Sequence, residues 1–190
     1  MNGADEKIVR EKSADGGAED GKVLEVRNLN VRLNTRDGRL HVVRDVSFAL
    51  RSGETLVTVG ESGCGKSMTA RALMRLLPDE AAEVPGSSRI LYRGQDLLRL
   101  TEREMQRVRG RSLAMVFQDP STSLDPTLTI GEQVEETLLL HTRLRGPERR
   151  LRVLEILHAV GISSPKTRMR QYPHELSGGM RQRVMIASAL

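Results

Sequence analysis

The chain has 190 residues and carries 30 lysines and arginines against 25 aspartates and glutamates, which gives a formal net charge of +5. This length suits one ordinary domain and argues against two of full size. Aromatic residues make up only 2% and tryptophan is absent, so aliphatic side chains must build the core. The single cysteine excludes a disulfide framework and a multi-cysteine metal site within the chain.

The first segment, 1–21, differs in composition from the rest. Positions 1–20 hold six acids and three bases with few apolar side chains, so the segment is predicted to be a disordered acidic tail. No apolar run there resembles a signal peptide, and no later stretch approaches the roughly 18 apolar residues of a membrane span. The basic residues are scattered along the chain, which favours a solvated surface over a nucleic-acid or membrane patch.

The next part of the chain alternates between strand and helix patterns. Apolar alternation in 23–33 and 40–50, with a turn at 34–38, predicts a β-hairpin. A short apolar strand at Thr55–Val59 is followed by a glycine-rich loop and a predicted helix over 66–77. Beyond a loop at 78–88, we predict a short strand at Arg89–Tyr92 and a polar helix at 101–109. Five consecutive apolar residues at 113–117 predict a strand buried on both faces.

The remaining third of the chain is helical in pattern. Apolar residues at helical spacing predict helices over 130–144 and 148–160, the second of which ends at Gly161. A last helix is predicted from Gly178 to Leu190, where the pattern stops without a capping residue or a polar tail.

The loop after the first short strand carries the most specific motif in the chain. It reads G-x-x-x-x-G-K-S, between a strand and a helix, and its residues are Gly60, Glu61, Ser62, Gly63, Cys64, Gly65, Lys66 and Ser67. Glycines let successive backbone N–H groups face phosphate oxygens, and the helix dipole adds positive charge there. Lys66 is placed to neutralise the β- and γ-phosphates and the Ser67 hydroxyl to bind Mg²⁺. This motif predicts binding of a nucleoside triphosphate. Cys64 is interpreted as a small residue of the loop.

A second small-residue loop, Leu176, Ser177, Gly178, Gly179 and Met180, opens onto the last predicted helix. Alone it would be an ordinary helix start capped by Ser177. Beside a phosphate loop it suggests a second anion site, which a second copy of the protein would complete.

Together these motifs resemble the nucleotide-binding domain of ABC transporters. More narrowly, Phe117–Gln133 and Tyr172–Leu190 resemble the ATP-binding subunits of dipeptide, oligopeptide and nickel importers. The resemblance implies an α/β fold of the P-loop NTPase, ABC-type class, with a parallel core sheet, an N-terminal antiparallel β-subdomain and a helical subdomain. The implied parts are a β-subdomain at 22–54, a core at 55–118, a helical subdomain at 119–176 and a signature helix at 177–190.

The resemblance also assigns roles to individual residues. Gly60–Ser67 and the adjoining Met68 would hold ATP, Ser67 and Gln118 would reach Mg²⁺, and Gln118 would contact the attacking water. Leu176–Met180 would be the signature motif, which covers the nucleotide of a second ATPase subunit. The implied partners are that subunit, transmembrane permease subunits at the cytoplasmic face of the membrane and, indirectly, a solute-binding protein. No nucleic acid is expected.

The sequence departs from the family pattern in two places. The position where an aromatic residue commonly stacks on adenine is Leu33, so either Leu33 or His41 would take that role. The chain also ends at Leu190, before the Asp–Glu pair of the Walker B strand and the switch histidine, so we expect a C-terminally incomplete domain that does not hydrolyse ATP by itself. Leu113–Phe117 with Asp119 is the nearest imitation of Walker B, although it better fits the strand before Gln118.

The leading hypothesis is therefore the ATP-binding subunit of an importer for peptides, nickel or related solutes. One alternative is a remnant that binds nucleotide weakly without hydrolysis. The other is an ABC-type ATPase that acts on nucleic acid, which the positive charge permits.

Overall fold

The computed structural model of the chain describes Lys7–Glu11 and residues 21–190, apart from Asp37 and Asp79. The chain divides into two compact units, Met1–Met105 and Gln106–Leu190. The four-part organisation implied by the family resemblance stays a prediction.

The first unit is built mainly from strands, and its elements are β1 (Lys7–Glu11), β2 (Lys22–Thr35), β3 (Gly38–Arg51), β4 (Thr55–Val59), helix α1 (Lys66–Leu73), β5 (Ala82–Glu83), β6 (Arg89–Tyr92) and β7 (Gln95–Asp96). Helix α2 (Glu102–Val108) spans the boundary between the units. The predicted hairpin is confirmed as β2 and β3, which pair antiparallel from Lys22–Arg51 to Thr35–Gly38. The other edge of β2 pairs with β5 and β6, and β7 follows β6.

The core of this unit is aliphatic, as the composition requires. Alternate positions of β2 are buried and meet buried valines of β3, because successive side chains of a strand point to opposite faces. The fully buried side chains include Val26, Leu29, Val31, Val43, Ile90 and Leu97. Phe48, at 8% exposure, is the aromatic residue that joins them.

The strand before the phosphate loop, β4, has an unexpected neighbour. It pairs antiparallel with β1, from Lys7–Val59 to Glu11–Thr55. The prediction of a disordered tail is therefore wrong for Lys7–Glu11, where the β-branched pair Ile8–Val9 suits a strand. The rest of the tail, up to Asp20, lies outside the described residues.

The expected parallel core sheet is not formed among the described residues, where every pair of named strands is antiparallel. The prediction of a buried strand at Leu113–Phe117 is also wrong. Leu113 forms only an isolated bridge to Arg109, and Val116 and Phe117 are 44% and 39% exposed. A strand needs neighbours that take its N–H and C=O groups, and none of the named strands pairs with this segment.

Helix α1 ends at Leu73, before its predicted end. Arg75 takes a left-handed conformation (φ 51°), and the Leu76 N–H donates to the Arg71 carbonyl at 2.8 Å. This is the hydrogen bond of a Schellman-type helix end, which usually has glycine at the left-handed position. The Arg75 guanidinium donates to the Leu97 and Leu100 carbonyls, which holds the turn in place.

The second unit is helical, with α3 (Pro120–Ser123), α4 (Ile130–His141), α5 (Gly146–Ala159), α6 (Pro165–Arg168) and α7 (Gly178–Ala187). Its core is one aliphatic cluster to which α4, α5 and α7 contribute, with Ile130, Val134, Val153, Leu157 and Val184 among its members, joined by Met169 just after α6. The helices predicted at 130–144, 148–160 and 178–190 are confirmed, with small differences at their ends. In the part of the chain that the structure describes, no helix is long and apolar enough to cross a bilayer.

The start of α4 is fixed by side-chain hydrogen bonds. Thr129 and Glu132 form a reciprocal capping box, and the carboxylate of Glu132 accepts from both the Thr129 N–H and its hydroxyl. The side chain of Gln133 donates to the carbonyls of Asp125 and Leu128, and Asp125 accepts from Thr127. The hydroxyl of Thr129 and then its backbone N–H lower the pKa of Glu132, and the same two groups of Thr127 lower the pKa of Asp125.

The capping box predicts a pH-dependent stability for the second unit. Because the pKa of Glu132 is lower in the folded than in the unfolded state, its stabilisation is present above about pH 4.5 and is lost as the pH falls through the folded-state value. We expect Glu132→Gln to lower the urea midpoint at pH 7 and to shrink the fall in that midpoint between pH 7 and pH 3.5. The matched control is Glu136→Gln, one turn further along α4. An equal effect of both substitutions would contradict the capping role.

Candidate functional site

The phosphate loop joins β4 to α1. Gly63 and Gly65 both have positive φ, 84° and 103°, in the left-handed region that favours glycine. The Cys64 N–H donates to the Glu61 carbonyl at 3.3 Å and closes a turn within the loop. The backbone thus curls and then enters α1 at Lys66, which places the loop at the N-terminal end of that helix.

Gly65 lies directly against strand β3. A Cβ atom at this position would overlap the Val42 carbonyl oxygen and would also contact the side chain of Val43. Gly63 has open space where a Cβ would lie. Both the left-handed φ and the close packing therefore require glycine at position 65, whereas at position 63 only the left-handed φ favours it.

The ammonium group of Lys66 is held over the loop. Its Nζ donates to the carbonyls of Gly60 and Glu61 at 2.7 and 2.6 Å, and lies 3.2 Å from the sulfur of Cys64. The loop therefore presents a positive charge at the N-terminal end of a helix, whose dipole has the same sign. Such an arrangement attracts anions, and phosphate above all.

The residues after Lys66 belong to the first turns of α1. Ser67 is exposed and Met68 is half-buried, while Thr69 is buried and its N–H donates to the Gly65 carbonyl at 2.8 Å. Among the described residues, the Thr69 hydroxyl has no hydrogen-bond partner. The exposed hydroxyl of Ser67 is the side-chain oxygen closest in sequence to the loop's lysine.

The second loop begins helix α7 in the second unit. Ser177 is its N-cap residue, with an extended backbone, and its Oγ accepts from the Met180 N–H at 3.4 Å. Leu176 is buried and anchors the loop in the aliphatic core. Ser177 therefore caps the start of α7, and its role in a signature motif stays a prediction.

Gly178 and Gly179 differ from the glycines of the phosphate loop. Neither has a positive φ, and a Cβ at either position would meet nothing within 4 Å. Both are exposed. Nothing in the described structure of the chain itself requires glycine at these two positions.

The remaining predicted site residues lie apart from these loops in sequence. Gln118 is an exposed bend residue of the second unit, whereas Gly60–Met68 belongs to the first unit. Leu33 faces Leu40 across the hairpin. The ring of His41 lies 2.9 Å from the Asn30 side-chain oxygen, so a hydrogen bond ties it to the hairpin.

Sequence reasoning missed the contribution of Val42 and Gln133. Val42 presents its carbonyl to Gly65, and this contact depends on the register of β3, which the motif does not encode. Gln133 ties the segment after Gln118 to the start of α4. The sequence signal for Gln133 is a polar side chain in the first turn of a predicted helix, next to the glutamate of a capping box.

A loop with left-handed glycines, a lysine held over its backbone and a helix beginning at that lysine is typical of the P-loop class of proteins. The family model described as "ABC transporter" matches residues 43–190 of this chain. The chain therefore belongs to the ABC transporter family.

Two curated relatives illustrate the branch of the family that the chain is similar to. The dipeptide transport ATP-binding protein DppD of Bacillus subtilis (strain 168) is 51% identical over 169 residues, which cover 89% of this chain and 50% of that protein. The oligopeptide transport ATP-binding protein OppD of the same organism is 47% identical, with 89% and 47% covered. The chain thus spans about half the length of the curated relatives it matches. The resemblance to peptide-transport ATP-binding proteins is confirmed.

The fold is also similar to solved ABC cassettes. The dimeric structure of MJ0796, described as a bacterial ABC transporter cassette, matches with a TM-score of 0.74 at 26% identity, over 88% of this chain and 68% of that one. A second structure of the same cassette, described as a post-hydrolysis state bound to ADP and Pi, matches equally well. The predicted ABC-type fold is confirmed, although the parallel pairing of its core is not formed among the described residues.

We expect alanine to destabilise the protein by different amounts at the two phosphate-loop glycines. We expect Gly63→Ala to lower the free energy of unfolding by about 1 kcal/mol, the cost of a left-handed alanine. Gly65→Ala should cost about 3 kcal/mol, because the new methyl group also displaces the Val42 carbonyl. Urea denaturation of the two variants measures both values. Equal losses would show that Gly65 does not pack against β3 as described.

Proposed function

We propose that this chain binds ATP with Mg²⁺ and belongs to the ATP-binding subunit of an ABC importer for peptides or related solutes. The observation that carries the proposal is the phosphate loop, in which left-handed glycines, the start of α1 and the Lys66 ammonium group combine at one place. Backbone N–H groups of residues 60–68 would bind the phosphates, and Lys66 would neutralise their charge.

The residues near the loop fit a magnesium ion. Ser67 offers an exposed hydroxyl in the first turn of α1, and hard cations of this kind prefer oxygen ligands. The role of Gln118 as a further ligand, which the family resemblance implies, stays a prediction. When bound, the ion would offset the charge of the β- and γ-phosphates.

The adenine base would pack on Leu33 rather than on His41. The ring of His41 is engaged by Asn30, whereas Leu33 and Leu40 present an apolar cross-strand pair. An aliphatic contact lacks the stacking energy of an aromatic one, which is about 1–3 kcal/mol per base in nucleic-acid complexes. Nucleotide affinity should accordingly depend mainly on the phosphates.

The signature loop would act on the nucleotide of a second ATPase subunit. Its exposed glycines are not explained by the folding of the chain, and a small residue permits close approach of a phosphate to the backbone. A dimer of this kind would drive transmembrane permease subunits at the cytoplasmic face of the membrane, with solute delivered by a binding protein. The names of the curated relatives support peptides as the solute.

Removal of the Lys66 charge tests nucleotide binding. We expect Lys66→Ala to weaken binding of ATP with Mg²⁺ by about 10- to 100-fold in calorimetric titration, because hydrogen bonds to charged groups contribute about 1.5–3 kcal/mol. Lys166→Ala, which removes an exposed lysine of the second unit, should leave the affinity unchanged. If the Lys66→Ala variant is folded by circular dichroism and still binds ATP as tightly as the parent chain, the proposed site is wrong.

The signature loop is tested separately by Gly179→Ala. Because alanine favours a helix more than glycine does, we expect the free energy of unfolding to stay unchanged or to rise by up to about 1 kcal/mol. Association induced by ATP should nevertheless fall, as measured by light scattering or analytical ultracentrifugation. Unaltered association of this variant would remove the signature loop from the interface.

A further inference from the structure

A cavity of about 410 Å³ lies in the first unit, at the C-terminal end of α1. Its walls come from the end of α1, the segment 82–89 and the 3₁₀ turn Leu97–Arg99 that follows β7. All three segments belong to the same compact unit. The volume lies in the range of small-molecule sites in proteins. No residue of Gly60–Met68 lines the cavity, so it is separate from the phosphate loop.

One part of the cavity wall is aliphatic. It is formed by the side chains of Ala72, Leu77, Ala82, Val84, Pro85 and Leu98. Leu77, Val84 and Leu98 are only half-buried by the fold itself. An aliphatic group in the cavity would remove more of their surface from water, which is favourable in proportion to the apolar area buried.

The other part of the wall contains two arginines around one carboxylate. The Nε atoms of Arg89 and Arg99 each lie 3.4 Å from Oδ2 of Asp96. That oxygen is buried and accepts no hydrogen bond within the described part of the chain, whereas Oδ1 accepts from the N–H groups of Ile90 and Leu98. The two guanidinium groups are therefore close to the carboxylate without being hydrogen-bonded to it, and the formal charge of the group is 2 − 1, or +1.

The two arginines differ in how firmly they are held. Nη1 of Arg89 donates to the carbonyls of Gly86 and Ser88, which fixes this guanidinium in the wall of the cavity. The side chain of Arg99 is 70% exposed, and its contact to Asp96 is an ion pair without a hydrogen bond. Because a guanidinium carries five N–H donors in a planar fork, Arg99 keeps the capacity to bind an anion at the cavity.

We propose that this cavity binds a small organic anion, namely a carboxylate with a short aliphatic chain. The carboxylate accepts hydrogen bonds from Arg99 and Arg89, whose fork geometry suits two oxygens. The aliphatic chain contacts the apolar part of the wall. This site goes beyond the proposed function and does not depend on nucleotide binding.

The composition of the wall favours an aliphatic carboxylate over inorganic phosphate. A bare phosphate would leave the aliphatic side chains in contact with water, whereas a carboxylate with a chain uses both parts of the wall. Asp96 also repels a second negative charge on the ligand, so a monoanion suits the group of two arginines and one carboxylate better than a dianion. Inorganic phosphate is therefore the competing outcome of the test.

The first experiment titrates the ¹⁵N-labelled chain with sodium hexanoate and follows the amide NMR shifts. We expect saturable shifts at residues 84–89 and 96–99, with a Kd on the order of 1 mM. Butyrate, which has two methylene groups fewer, should bind about tenfold more weakly, and the uncharged hexanamide should cause no shifts. Absence of the hexanoate shifts would overturn the proposal, as would equal binding of butyrate or tighter binding of inorganic phosphate.

The second experiment repeats the hexanoate titration on variants. Arg99→Gln should weaken binding about tenfold, because it removes a charged hydrogen-bond donor. The matched control, Arg36→Gln, removes an exposed arginine from the turn of the β2–β3 hairpin and should change binding less than twofold. Equal losses in these two variants would show attraction by net charge alone and would overturn the site.

A third variant tests the role given to Asp96. Asp96→Asn removes the negative charge beside the arginines and keeps an oxygen to accept from the Ile90 and Leu98 N–H groups, so it should strengthen hexanoate binding about threefold. Weaker binding by this variant, with an NMR spectrum that remains that of the folded chain, would contradict the proposed arrangement.

The outcomes separate this proposal from the proposed function. Lys66 lies outside the cavity lining, so Lys66→Ala should bind hexanoate as the parent chain does. Failure of hexanoate binding beside normal ATP binding would overturn the cavity site alone. Undiminished ATP binding by Lys66→Ala beside the expected hexanoate binding would overturn only the nucleotide site.

Discussion

The contact between Gly65 and the Val42 carbonyl links the phosphate loop to the β-hairpin. Because no side chain lies between them, the loop backbone rests directly on β3, and the left-handed φ of Gly65 then directs the chain into α1. The direction of α1 decides where its N-terminal charge lies, and the position of Lys66 follows from the same turn. The hairpin thus supports the loop that we propose binds nucleotide, although its side chains carry none of the motif.

A different kind of constraint organises the second unit. There the segment between Gln118 and α4 contains helix α3 and the buried Leu124, and polar side chains fix the stretch that follows, residues 125–129. Gln133 bonds to two loop carbonyls, Asp125 closes the turn at Thr127, and Thr129 with Glu132 caps the helix. These hydrogen bonds explain why the segment is rich in polar residues. Each polar side chain pairs with a backbone group that would otherwise be hydrogen-bonded to water.

Local patterns predicted the elements whose causes are local. The β2–β3 hairpin, the strand–loop–helix of the phosphate loop and the three long helices of the second unit follow from alternation, helical spacing and caps. The predicted end of α1 was wrong because the left-handed residue that ends the helix is Arg75 and not a glycine. The guanidinium of Arg75 donates to carbonyls of the turn that follows β7, and these bonds hold the helix end in place. Leu113–Phe117 and Lys7–Glu11 differ from prediction for a related reason. Whether an apolar segment becomes a strand depends on the neighbours that pair with it, and a single segment does not carry that information.

The glycines of the two loops differ in whether the folded chain explains them. Gly63 and Gly65 adopt backbone conformations that other residues enter at a cost, so the folded chain accounts for them. Gly178 and Gly179 lie in an ordinary helical turn with free space around them, where alanine would stabilise the helix. Glycine at these two positions therefore lowers stability without a compensating contact among the described residues. We expect the compensating interaction to come from outside the chain, and a phosphate that approaches the helix N-terminus closely is the ligand for which a missing Cβ and available N–H groups matter most.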